Sequence, residues 1–172
     1  MIQTHIRLAG LFILLLALQV MVLNHVHICG YATPLIGVYF VLVLPQDMPH
    51  WSKLLWGFAL GLIQDMFANT PGMMSATLTL MAFLQPWLLN MFGGIDSEND
   101  DDIVPSIAQL GALPFIRYAL TGTLLQCTVF YLLEIFSFFS FTDTLINILG
   151  STVLSLLIIL AIESLRSRHL KN

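Results

Sequence analysis

Two carboxylates, one histidine-rich stretch and one acidic run are the parts of this sequence whose residue types could do chemistry. Asp65 and Glu134 each stand inside a long apolar segment. A charge in hydrocarbon is costly unless paired or wetted, so an acid in such a place is a candidate functional group by default. Asp65 closes a stripe, because Gly57, Gly61 and Asp65 are four residues apart and share one face of a helix. Gly-x-x-x-Gly lets a second backbone approach closely, which turns the carboxylate one turn further on toward protein rather than lipid. Glu134 belongs to a second stripe with Thr123 and Gln126, and Asn147, Ser151 and Ser155 form a third. Small polar side chains at these intervals are hydrogen-bonding positions between membrane helices. Together the stripes predict a polar interior in one half of the protein, with Asp65 and Glu134 at similar depth. Two facing acids would suit a glycosidase or protease, but nothing in the sequence orders the helices laterally. The alternative is a pair of acids that satisfy polar neighbours inside a packed body. Under it, Asp65→Asn and Glu134→Gln are expected to be tolerated and apolar replacements are not.

The other constellations point to less. His25, His27 and Cys29 alternate, yet three ligands this close need a fourth and a supporting shell, so a loop or partner contact is expected instead. No histidine lies inside an apolar segment, which leaves a hydroxyl or thiol at membrane depth without an activating base. The acidic run Asp96, Glu98, Asp100, Asp101 and Asp102 fails as a calcium loop. Counted from Asp96, its sixth residue is Asp101 rather than glycine and its twelfth is Ile107 rather than glutamate. It reads as a solvated linker. No catalytic residue, no metal and no cofactor is expected.

The elements that position these residues follow from composition. Of 172 residues, 58% are hydrophobic and only 9% charged, against about 25% charged in soluble domains; mean hydropathy is +0.88. Too few polar side chains remain to coat a surface in water, so lipid is the expected solvent. The class is an all-α integral membrane protein. Two cysteines build no disulfide framework, and a net charge of −4 gives no field that would attract nucleic acid. Apolar runs at 8–23, 31–44, 54–67, 73–92, 115–136 and 145–162 predict six transmembrane helices. The second is short for a span, though Thr33 and Pro34 offer a cap and a first-turn proline. With six crossings Arg7, Lys53, Arg117, Arg166, Arg168 and Lys171 all fall on one side, so both termini and the long acidic loop 93–114 are expected in the cytoplasm. The first segment lacks a small-x-small cleavage site at Leu23-Asn24-His25 and is expected to stay as a helix rather than serve as a signal peptide. The remaining loops are too short for an extracellular domain.

Several motifs, in order along the chain, carry a family resemblance. Asn24-His25-Val26-His27, Gly30-Tyr31-Ala32-Thr33-Pro34-Leu35, the Gly57, Gly61 and Asp65 stripe followed by Phe67, Asn69, Thr70, Pro71 and Gly72, and Phe83-Leu84-Gln85-Pro86-Trp87 resemble the rod shape-determining MreD family. Ile103-Val104-Pro105-Ser106-Ile107, Arg117-Tyr118-Ala119 and Glu134-x-Phe136-Ser137-Phe138-Phe139 resemble its Bacteroidota branch. The resemblance implies a non-enzymatic scaffold subunit of the cell-elongation machinery in the bacterial inner membrane. Its implied partners are an MreC-like protein and, through it, the filament MreB, the glycosyltransferase RodA and a transpeptidase. It also implies a six-helix body similar to the substrate-binding components of energy-coupling-factor transporters. The family has no catalytic residues to carry over, so Gly57, Gly61 and Asp65 are structural or coupling positions. A homodimer and a small-molecule-binding or transporter subunit stay open as alternatives.

Overall fold

A computed structural model of the chain describes residues 2–21, 34–70, 72–93, 104–135 and 141–169. These form seven helices: α1 (Ile2–Met21), α2 (Gly37–Leu42), α3 (His50–Ala68), α4 (Met73–Gly93), α5 (Ile107–Leu110), α6 (Ala112–Ile135) and α7 (Phe141–His169). No strand occurs among the described residues. Two stretches, Ala112–Glu134 and Thr144–Arg166, are long and apolar enough to cross a membrane. At 1.5 Å per residue, the 19 residues of α3 and 21 of α4 also reach about 30 Å, the thickness of a hydrocarbon core.

Helices α3, α4, α6 and α7 alternate in direction between two ends, and α1 runs the same way as α3, because the chain from Pro34 to Leu44 returns between them. At one end lie Lys53 at the start of α3, Gln85 near the end of α4, Tyr118 at the start of α6 and Glu163 near the end of α7. These residues meet α2 or the chain just beyond it. At the other end Asp65 meets Ser75 and Tyr131 meets Ser151. Lys53, Arg117 and Arg166 therefore share the first end, where Trp51 and Trp87 are also exposed, as the interfacial aromatic belt of membrane proteins would have them. Helix α3 packs on α4, α4 on α6 and α6 on α7, while α1 lies against α2 and α3.

Helix α2 is the centre of this arrangement, and all six of its residues are buried. Phe40 meets Phe12 of α1 and Trp56 of α3 with ring centroids 5.6 to 5.9 Å apart. The outward faces carry the large apolar side chains instead, among them Ile13, Phe58, Met66, Phe83, Leu124, Leu149 and Leu157. Apolar groups coat the outside, whereas Gln64, Thr77, Gln85, Thr123, Gln126, Ser151 and Glu163 are buried.

The predicted helix over 31–44 is corrected to Gly37–Leu42. Six residues rise about 9 Å, far short of a bilayer. Pro45 ends it, because the residue before a proline is driven from helical geometry. Ahead of it, the N–H groups of Leu35 and Ile36 bond to side chains of other helices. A further correction concerns the loop predicted over 93–114, which contains the short helix α5 over Ile107–Leu110. The acidic residues 96–102, the His25, His27 and Cys29 run and the outer stretch 137–140 lie outside the described residues.

Candidate functional site

The glycine stripe of α3 faces the start of α4. A Cβ on Gly57 would sit 2.9 Å from the Leu78 carbonyl oxygen, and one on Gly61 would sit 2.6 Å from both the Met74 carbonyl oxygen and the Ser75 nitrogen. Only hydrogen fits there, so the backbones of the two helices touch. This contact brings Asp65, one turn on, beneath the first turn of α4. Its Oδ1 accepts from Thr70 Oγ1 at 3.0 Å and Met74 N at 2.9 Å, and its Oδ2 from Ser75 N at 2.9 Å and Ser75 Oγ at 2.8 Å. The first N–H groups of a helix have no partner within it and carry its positive dipole end. Asp65 thus caps α4 from the neighbouring helix, and that dipole opposes the unfavourable one at the end of its own. Asn69 supports the turn in the left-handed conformation, φ 56°.

The second polar cluster surrounds α2. Gln19 of α1 donates from Nε2 to the Pro34 carbonyl and accepts at Oε1 from Ile36 N, both at 3.1 Å. Ser155 of α7 accepts from Leu35 N at 2.8 Å. At the other end Tyr118 of α6 donates to the Leu42 carbonyl at 3.0 Å and Gln85 of α4 to the Leu44 carbonyl at 3.2 Å. Lys53 of α3 donates to Gln85 Oε1 at 3.0 Å and to the Gln46 carbonyl at 3.4 Å. Every long helix contributes a side chain to α2 or its flanks. Non-helical backbone is tolerated at membrane depth only where protein satisfies it, and here each flank is satisfied by name.

Glu163 forms the third cluster. It is 1% exposed; its Oε2 accepts from the Tyr39 hydroxyl of α2 at 2.5 Å and its Oε1 from Ile107 N of α5 at 3.1 Å. Arg166 Nη1 stands 3.7 Å from Oε2.

The predicted site residues do not form one cluster. Gln126 is buried and donates to Thr77 Oγ1 at 3.2 Å, and Ser151 bonds with Tyr131, whereas Asn147 is half-buried. Glu134 is exposed, so the expected shared interior of Asp65 and Glu134 is corrected: the stripe of Thr123 and Gln126 is buried and reaches the surface by the last turn of α6. Tolerance of Asp65→Asn is also revised, since all four partners of Asp65 are placed to donate. No group of three or more histidine, cysteine, aspartate or glutamate side chains that could hold a metal occurs among the described residues.

Compared with protein-family models, curated proteins and solved structures, the chain matches none. Its chemistry therefore rests on its own geometry. The residues that sequence reasoning missed are Gln19, Lys53, Gln85, Tyr118 and Glu163. Glu163 had a signal, because Ser151, Ser155, Ile159 and Glu163 continue the α7 stripe at intervals of four and all four are buried.

Proposed function

We propose that the chain is a non-enzymatic scaffold subunit of the bacterial cell-elongation machinery, crossing the inner membrane with both termini in the cytoplasm. The observation that carries this reading is where the buried polar groups are directed. Asp65, Lys53 and Glu163 bond to backbone and side chains of this same chain, which makes them parts of a rigid body rather than reactive groups. The broad apolar exterior is then the surface through which other membrane proteins are engaged. Collection of Lys53, Arg117 and Arg166 at one end supports the proposed orientation, and the MreD-like motifs supply the partner, an MreC-like protein acting with MreB, RodA and a transpeptidase.

The test is co-purification with the MreC-like partner from native membranes, together with rescue of rod shape in a depleted host. Failure of both would remove the scaffold reading. Orientation is tested separately. In a background lacking Cys29 and Cys127, Asn69→Cys should react with an impermeant thiol reagent from outside, and Asp47→Cys should not.

A second reading, a small-molecule-binding or transporter subunit, is favoured by one observation. Gln64 Nε2 and Gln126 Oε1 are buried without a hydrogen-bond partner, and unsatisfied amides of this kind suit a polar guest. A stoichiometric small molecule in the mass spectrum of the purified protein would place that reading first.

A further inference from the structure

We propose that Gln64 of α3 and Gln126 of α6 share one buried site beside the first turn of α2, and that this site holds a small uncharged guest offering one hydrogen-bond acceptor and one donor. The proposal rests on the reading of these amides as a place for a polar guest, and it names what the guest must present. Gln64 is 2% exposed and Gln126 1%, and Gln64 Nε2 and Gln126 Oε1 bond to no atom of the protein. A buried polar atom left in that condition is costly, and a guest's hydrogen bond offsets the cost.

The neighbours of the two side chains place them together. Gln64 abuts Gly37, the first residue of α2, where a Cβ would lie 3.0 Å from both amide atoms and 3.2 Å from Leu78 Cδ1 of α4. On α6, Tyr118, Gly122 and Gln126 are four residues apart and share one face. That face lies along α2, because Tyr118 donates to the Leu42 carbonyl and a Cβ on Gly122 would sit 2.9 Å from Leu42 Cδ2. The two helices run in opposite directions, for Cys127, Phe130 and Tyr131 cluster with Leu35. Gln126 stands between these two levels, beside the turn that begins with Gly37. Its Nε2 donates to Thr77 Oγ1, and Thr77 adjoins Leu78.

The two free atoms are complementary. Gln64 Nε2 is a donor and Gln126 Oε1 an acceptor, so one guest that accepts from the first and donates to the second satisfies both. The guest is uncharged, since two amides and the Thr77 hydroxyl supply no counter-charge and the carboxylate of Asp65, next to Gln64, already faces four donors. A water molecule meets this description, and so does the amide or lactam group of a small molecule.

The test uses full-length protein and Gln126→Met, which keeps the length of the side chain without its polar atoms. In lipid bilayers, water-edited solid-state NMR reads transfer of magnetisation from water to the Gln64 side-chain amide protons, and native mass spectrometry of the same protein reads bound mass. A water guest predicts transfer in the wild type that is lost in Gln126→Met; this result removes the small-molecule reading while the site stands. An organic guest predicts no transfer but one bound molecule per chain, lost in Gln126→Met. Should that variant fail to fold, Gln64→Met, read at the Gln126 amide protons, takes its place. The shared site is overturned if the wild type shows neither transfer nor bound mass, or if the signal it shows survives loss of the other amide unchanged.

Discussion

Asp65 holds Ser75 twice, through its backbone N–H at 2.9 Å and its hydroxyl at 2.8 Å, both on the same carboxylate oxygen. With Thr70 and Met74 on the other oxygen, each oxygen faces two donors.

The isostere is therefore expected to fail at this position. Asparagine must turn its NH2 toward one of the two donor pairs, which strands that pair's single N–H at about 1–3 kcal/mol while the hydroxyl beside it can turn to accept. Asp65→Asn should lower the thermal midpoint in detergent, and Asp65→Leu, which strands the N–H groups of both Met74 and Ser75, should lower it further. A wild-type midpoint for Asp65→Asn would show that the carboxylate does not cap α4.

Alanine scanning of glycines should rank by what the new methyl meets. Gly61→Ala collides with backbone of α4, Gly57→Ala meets the Leu78 carbonyl at 2.9 Å and the Ala82 Cβ at 3.1 Å, and Gly10→Ala meets nothing within 4 Å. Overpacking costs about 1–3 kcal/mol where neighbours cannot yield, so accumulation in membranes should fall in the order Gly10→Ala, Gly57→Ala, Gly61→Ala. Equal behaviour of Gly10→Ala and Gly61→Ala would place the α3–α4 contact elsewhere.

The flanks of α2 can be cut one at a time. Gln19→Leu strands a carbonyl and an N–H, whereas Ser155→Ala strands a single N–H. At about 1–3 kcal/mol for each buried group left unpaired, both should lower the melting temperature, Gln19→Leu by more. Reversal of that order would mean that Gln19 packs elsewhere.

Composition and apolar run length made the helices legible, and four-residue spacing made the α3 stripe legible, because both depend on local geometry alone. The six-residue length of α2 was not readable from its apolar run, since it is fixed by Pro45 and by side chains as distant as Ser155. Glutamines were passed over for the same reason. Gln19 and Gln85 sit in apolar runs with no sequence partner, and their value appears only when another segment's carbonyl or N–H arrives. Glu134 was misplaced because helical spacing gives direction around an axis but not whether a neighbour covers the last turn.

The sharing of α2 among five helices has a consequence for how the protein is made. Leu35 waits for Ser155, 120 residues later, and Tyr39 waits for Glu163. A chain that has delivered only α1 to α4 holds the Leu35 N–H and the Leu42 carbonyl without the partners that α7 and α6 bring, so the middle of the protein is completed by side chains synthesised 120 and 76 residues after it.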